Sequence, residues 1–195
     1  MKSISYLHTV SNNMKKLYLA GPHGFSEIGD YGIQPLKNIL KRMFELLDPF
    51  DYGPNQELGI KLKKLNNKLY NSEISNLNIT FTQIIHQMEE INREIAKNNE
   101  NLLRSADKVL GILDGPDVDS GTAAEIGMAY ILGKEIYGYR GDLRSTGDNL
   151  ASMVNLQVEY CIYQSKGRIF HSLKEVAKWT DDTQINDPIN GLRRN

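Results

Sequence analysis

Between Asp119 and Glu125 the chain reads Asp-Ser-Gly-Thr-Ala-Ala-Glu, which sets two carboxylates six residues apart where a loop gives way to a helical pattern. A helix beginning at Thr122 makes Thr122 and Glu125 a capping box, each side chain satisfying a backbone donor at the helix start. The same first-turn position exposes the Glu125 carboxylate to the positive end of the helix macrodipole, which favours its ionised form. An ionised carboxylate in a crevice is a nucleophile. Asp119 can either cap the helix or face the same cavity. Two carboxylates in one pocket can divide the labour, one attacking while the other manages a proton, as in glycoside cleavage.

Other chemistries fit the spelling less well. A calcium loop of EF-hand type starting at Asp117 needs Gly at its sixth position and Glu at its twelfth, where Thr122 and Met128 stand. The segment Gly21-Pro22-His23-Gly24-Phe25 has neither the Walker pattern nor G-x-G-x-x-G. His8, His23, His86 and His171 show no ligand spacing, and Cys161 has no histidine companion, so neither a metal nor a cysteine nucleophile is expected. No cofactor is called for. Lys and Arg number 23 against 24 Asp and Glu, a net charge of -1 that provides no basic field for nucleic acid.

Compartment and size follow from the same composition. A lone cysteine cannot form an intrachain disulfide, and no apolar run has the length of a membrane span or the form of a signal peptide. A cytoplasmic protein without membrane contact is expected. At 195 residues the chain is sized for one core.

The elements that must position the carboxylates can be read from periodicity. Residues 1–15 are polar and aperiodic, the pattern of a flexible arm. Leu17-Tyr18-Leu19-Ala20 stopped by Gly21-Pro22 reads as a buried strand ending in a loop. Pro35 can open a helix, with Leu36, Ile39, Leu40, Met43, Phe44 and Leu47 on one apolar face. Leu47-Asp48-Pro49-Phe50 reads as a short second strand, followed by a turn at residues 51–54. A polar region follows, its Asn-rich part around residues 66–78 reading as a surface connection. Ile84, Ile85, Met88, Ile91, Ile95 and Leu102 then have helical spacing.

Lys108–Leu113 is a β-type run. It is followed by a loop over residues 114–121, a helix from Thr122 to about Leu132 ended by Gly133, and a strand at Glu135–Tyr139. Strand, loop, helix and strand make a βαβ unit. The expected fold is therefore a doubly wound α/β domain over residues 16–180, a flavodoxin-like parallel sheet flanked by helices, with a polar tail at 181–195. In such sheets ligands bind beyond the carboxyl ends of the strands, where residues 21–26, 114–121 and 140–148 converge.

With these residues assembled, the chain resembles the nucleoside 2-deoxyribosyltransferase family. The matching segments are Leu17-Tyr18-Leu19-Ala20-Gly21-Pro22 with Phe25, the stretch from Ile95 to Asp107 with Asn99, Asp119-Ser120-Gly121-Thr122-Ala123-Ala124-Glu125-Ile126-Gly127, Gly133-Lys134, and Asn155-Leu156. The segment from Asp119 to Gly127 is the specific part. The likeness runs from about Lys16 to Tyr160, interrupted by the polar stretch near residues 51–80.

The resemblance implies that Glu125 attacks the anomeric carbon of 2-deoxyribose and carries the sugar covalently between two bases, with retention. It further implies that Asp119 binds and helps to protonate the nucleobase, and that Tyr18 orients the nucleophile; without the resemblance Tyr18 is equally an ordinary core aromatic. Gly21, Pro22, Ser120 and Gly121 would line the substrate site, Phe25 would stack on the base, and Asn99 would be a pocket residue. Asp142 and Arg144 either close the base pocket or form a surface ion pair. Asn155 either reaches the sugar in a neighbouring subunit's site, which implies a homo-oligomer, or is a loop asparagine. Partners would be deoxynucleosides and free nucleobases.

Two alternatives remain open at this level. A deoxynucleoside or deoxynucleoside 5′-monophosphate N-glycoside hydrolase, of the same fold family, would use water as the acceptor; the resemblance to those monophosphate hydrolases implies Ser and Arg holding the 5′-phosphate in the first loop, which here reads His23-Gly24-Phe25-Ser26 without Arg. The third possibility is a non-catalytic nucleotide-binding module in which Glu125 only caps a helix. Phosphoribohydrolases with P-G-G-x-G-T-x-x-E fit poorly, since Val118-Asp119-Ser120 replaces the glycines.

Overall fold

The computed structural model describes residues 14–70 and 81–185. Five parallel strands, β1 (Lys15–Ala20), β2 (Phe44–Leu47), β3 (Lys108–Ile112), β4 (Glu135–Tyr139) and β5 (Ile169–Phe170), form one sheet in the order β2-β1-β3-β4-β5. This is the flavodoxin-like order, with its topological switch between β1 and β3. Helices α1 (Glu27–Leu40), α2 (Gly53–Tyr70), α3 (Phe81–Ser105), α4 (Ser120–Ile131), α5 (Leu156–Gln164) and α6 (Leu173–Ile185) flank it. None of the described helices is long and apolar enough to cross a membrane.

Because side chains alternate along a strand, β1 feeds two cores. Leu17 and Leu19 pack with Leu36 and Leu40 of α1 and with Trp179 of α6. Tyr18 and Ala20 point to the other face, among Leu103 of α3, Ile126 and Ala129 of α4, and Ile162 of α5. The strand is buried on both faces, as its unbroken apolar run requires.

The structure corrects several boundaries. Helix α1 starts at Glu27, not Pro35: the Ser26 side chain accepts from Gly29 N–H (3.0 Å), and Glu27 and Asp30 favour the first turn. Pro35 lies inside the helix on its exposed side, where the carbonyl deprived of a donor faces solvent. Met43, Phe44 and Leu47 are not on this helix. Phe44 and Leu47 belong to β2, which pairs with β1 in the register Lys15↔Phe44 and Tyr18↔Leu47.

The second strand accordingly ends where it was expected to begin. Asp48 instead opens a turn, its Oδ1 accepting from Phe50 N–H (2.9 Å), an Asx turn that fixes residues 48–51. Residues 66–70 of the Asn-rich region are helical, completing α2, while residues 71–80 lie outside the described part. The expected arm falls mostly on residues 1–13, also outside it, and Lys15 already belongs to β1. Residues 181–185 continue α6, so the helix crosses the boundary drawn at residue 180.

The βαβ unit has the order of elements the sequence spells, with α4 beginning at Ser120, not Thr122. Gly133, at φ 68°, ends α4, with Gly133 N–H donating to Tyr130 O and Lys134 N–H to Ala129 O, both 3.0 Å, in a Schellman arrangement. The last elements, β5, α5 and α6, go beyond what the sequence pattern marks.

Candidate active site

At the switch point the chain leaves the paired carboxyl ends of β1 and β3 toward opposite faces of the sheet, to α1 and α4, and a cleft of about 450 Å³ opens above them. Its floor and one side come from Gly21 and Phe25 after β1 and from Asp119, Gly121, Thr122 and Glu125 at the start of α4. The opposite side comes from Pro49 and Phe50 after β2, from Asn55, Gln56, Gly59 and Leu62 on α2, and from Ile95 and Asn99 on α3.

The start of α4 is set by Asp119, not by Thr122. Asp119 is the N-cap, and its Oδ2 accepts from Thr122 N–H (3.0 Å) and from the Thr122 hydroxyl (3.2 Å). The capping-box reading is thereby overturned: Glu125 is the sixth residue of α4, beyond the turn whose N–H groups need partners. Asp119 caps the helix and lines the cleft as well.

Released from capping, Glu125 meets Tyr18. The phenol of Tyr18 donates to Glu125 Oε1 at 2.7 Å. Tyr18 has no solvent exposure, and its body is packed in the core that α4 covers. Burial foremost, with the Asp119 and Asp48 charges adding to it, raises the Glu125 carboxyl above the ordinary glutamate range; the Tyr18 hydrogen bond and His23 act in the opposite direction. This reverses the expectation from the helix dipole. Burial and the Glu125 charge likewise push the Tyr18 phenol far up, so it stays a donor at neutral pH.

The remaining expected residues divide into two groups. Gly21, Phe25, Asn99 and Gly121 line the cleft with Asp119 and Glu125. Pro22, Ser120, Asp142, Arg144 and Asn155 are not among its lining residues. Pro22 precedes the 3-10 turn His23–Phe25, and Ser120 is the exposed first residue of α4. Arg144 Nε donates to Asp142 Oδ1 (2.9 Å), an ion pair that holds the Asp142 carboxyl well below its usual range, at the surface. Asn155 is exposed and N-caps α5, accepting from Gln157 N–H (3.0 Å).

Several side chains that line the cleft or brace the loops at this end of the sheet escape the sequence reading. Asn55, buried on α2, donates to Asn99 Oδ1 (2.8 Å) and Pro49 O (3.2 Å) and accepts from Asn98 (3.0 Å), stitching α3 over the turn after β2. With its oxygen engaged, Asn99 has its amide NH₂ to offer a ligand. Fully buried Arg140 donates to the carbonyls of Leu113, Gly115 and Arg144, and Asp114 Oδ1 accepts from Gly141 and Asp142 N–H (2.7 and 2.9 Å), which clamps the loops after β3 and β4 together. The crevice rule expects residues 140–148 at the ligand site, but none of them lines the cleft, whose opposite side comes from α2, α3 and the turn after β2; nothing in the local spelling marks Asn55.

The parallel sheet and the cleft at its switch point define a doubly wound α/β domain with a partly buried carboxylate, Glu125, lining that cleft. Residues 17–165 match the family model described as Nucleoside 2-deoxyribosyltransferase, and the chain belongs to that family, whose members act on nucleoside N-glycosidic bonds. A comparison with curated proteins finds no match.

Among solved structures, a conserved protein from Enterococcus faecalis V583 is similar at 21% identity and TM-score 0.55, with 87% of this chain and 99% of that chain covered. The 2-deoxyribosyltransferase from Bacillus psychrosaccharolyticus is similar at 21% identity and TM-score 0.52, with 83% and 90% covered. The 2-deoxyribosyltransferase from Leishmania mexicana is similar at 20% identity and TM-score 0.51, with 86% and 97% covered. These likenesses establish the shared fold.

Proposed function

We propose that the chain transfers 2-deoxyribose between nucleobases through a covalent glutamyl-deoxyribosyl intermediate on Glu125. The observation that carries this reading is the Tyr18–Glu125 hydrogen bond at the base of a cleft that Asp119 also lines. Tyr18 occupies Oε1 and leaves Oε2 to attack C1′. As the C1′–O bond forms, the C1′–N bond breaks, its electron pair leaves with the base, and Asp119 helps deliver the proton that makes the base a neutral leaving group. An incoming base then attacks C1′ from the face the first one left, its ring nitrogen returns a proton to Asp119, and the Glu125 carboxylate is released as the C1′–O bond breaks, with overall retention.

Burial suits this role, since a poorly solvated carboxylate gives up less hydration on attack. Tyr18 supplies one hydrogen bond that favours the charged form without blocking the other oxygen. None of the lining residues is basic, which favours a nucleoside over a nucleotide 5′-phosphate beside two carboxylates. Asn155, exposed on the start of α5, serves a neighbouring subunit's site in a homo-oligomer, and the reaction runs in the cytoplasm. Incubation with deoxyinosine and free adenine tests the reading: deoxyadenosine is the expected product. Free deoxyribose without exchange would show a hydrolase, and tight binding without turnover a non-catalytic module.

A further inference from the structure

Beneath the wall formed by Phe25 and Phe50 lies a chain of buried polar groups that the proposed reaction leaves unused. Lys37 of α1 places Nζ 2.6 Å from Asp48 Oδ2, and His23 Nε2 lies 2.9 Å from the same oxygen. Side-chain exposure is 1% for Lys37, 0% for Asp48 and 4% for His23. Asp48 can only accept, so His23 Nε2 carries the hydrogen. Nδ1 of His23 is buried with no hydrogen-bond partner among the described residues. Taking two ions out of water costs more than their attraction returns unless the geometry is good, so hydrophobic replacements often serve stability equally well.

The position of this chain suggests another use. Asp48 follows Leu47, the strand residue paired with Tyr18, so it sits at the end of the strand next to the one that carries Tyr18, and its charge acts on both Tyr18 and Glu125. The His23 ring stands edge-on to Phe50 with centroids 5.1 Å apart, and Phe50 stands edge-on to Phe25, also at 5.1 Å. A Cβ on Gly24 would run into the Phe50 ring, so the two loops interlock there. We propose that the Lys37–Asp48–His23 chain is a positioning element for Glu125: it locks the Phe50 wall and keeps the Asp48 carboxylate charge-compensated. The proposal rests on Glu125 being the reactive group.

The charged groups around both carboxylates set the expected signs. Glu125 is hydrogen-bonded by Tyr18 from β1, and the charges that act on it are Asp119 from the loop before α4, Asp48 from the end of β2 and His23 from the loop after β1. Lys37 also reaches Asp51 at 3.2 Å and Asp30 at 4.0 Å, both more than half exposed, so its charge is shared. Removing the Lys37 charge leaves Asp48 less compensated and disfavours a second negative charge on Glu125. Removing the Asp48 charge does the reverse.

The test reads Glu125 directly and needs no substrate. Carboxyl ¹³C NMR of Glu-labelled protein, with the Glu125 signal assigned by its loss in Glu125→Gln, gives its titration midpoint. Lys37→Met should raise that midpoint and Asp48→Asn should lower it, each by on the order of half a pH unit. Combining both substitutions should bring it back toward the wild-type value, which a merely structural role would not do. Asp51→Asn, a change at a half-exposed side chain, should lower the midpoint slightly by freeing Lys37 for Asp48, and serves where a buried variant fails to fold. A midpoint unmoved in folded Asp48→Asn and Asp51→Asn overturns the proposal. Absence of a sugar adduct on Glu125, found separately by mass spectrometry, would overturn the reaction while leaving this titration readable.

Discussion

The Tyr18 phenol and the Glu125 carboxylate, 107 residues apart in the chain, meet at 2.7 Å where β1 ends beneath α4. Two requirements coincide in that contact. The body of Tyr18 belongs to the core, and its hydroxyl must find a partner once buried. Glu125, held in a setting that resists its charge, gains one directed donor.

Replacing Glu125 with Gln keeps an oxygen for the Tyr18 hydroxyl but removes the nucleophile. Base exchange should fall by at least about 10³-fold, the scale of losing a covalent catalyst, while the circular dichroism spectrum and melting temperature stay near wild type. Chromatography of an exchange reaction measures the first, and exchange at wild-type rates would remove Glu125 from the mechanism.

Tyr18→Phe removes the hydrogen bond that lowers the Glu125 carboxyl and leaves the larger effect, burial, in place. The Glu125 midpoint therefore rises further. Because attack needs the carboxylate, the acid limb of kcat/KM should move to higher pH and the rate near neutrality should drop by about tenfold, the weight of roughly one charge-assisted hydrogen bond. A pH–rate profile with an unmoved limb would contradict the assigned role.

Asp119 has two duties that two substitutions separate. Asp119→Ala loses the cap of α4 and should destabilise the fold by about 1 kcal/mol, in addition to impairing exchange. Asp119→Asn retains a capping oxygen and should melt close to wild type, yet still exchange slowly because the amide cannot deliver a proton. Thermal denaturation paired with the exchange assay distinguishes them.

Asp48 provides an acid-stability prediction. Burial alone would raise its carboxyl, but the hydrogen bonds from His23 and Lys37 outweigh it and hold the group below the ordinary aspartate value. A lowered folded-state value contributes stability that is present above the unfolded pKa of about 3.9 and is lost as pH falls through the folded value. Urea midpoints should therefore fall more steeply below about pH 4 in the wild type than in Asp48→Asn; parallel curves would show that Asp48 is not a linked group.

The nucleotide should be the poorer substrate. Two carboxylates and no basic side chain line the cleft, so a 5′-phosphate meets repulsion without a counter-charge. KM for deoxyadenosine 5′-monophosphate should exceed that for deoxyadenosine by about tenfold or more. Equal steady-state values would place the 5′ position away from these carboxylates.

Much of the fold was legible because β1, β3 and β4 are short apolar runs closed by breakers, and Gly133 stops α4 where only a left-handed residue fits well. The run from Leu36 to Leu47 misled, because apolar residues spaced every three or four fit helical periodicity across a chain that turns at residues 41–43 and pairs Phe44 with Lys15. Thr122 with Glu125 misled in a second way. The spacing of a capping box is local, but which residue caps depends on where the helix begins, and Asp119 takes that place.

The sequence by itself determined the alternation of strands and helices, the order in which the crevice loops come, and the pairing of Asp119 with Glu125 on one segment. Only the tertiary structure decided that Glu125 is bound to Tyr18 instead of to its own helix, that burial raises its carboxyl where a helix dipole alone would lower it, and that Lys37, Asp48 and His23 share one buried oxygen. The physical reason is range. Periodicity, turns and caps act over a few residues and are written in the local spelling, whereas desolvation and charge pairing depend on what the packed chain brings alongside.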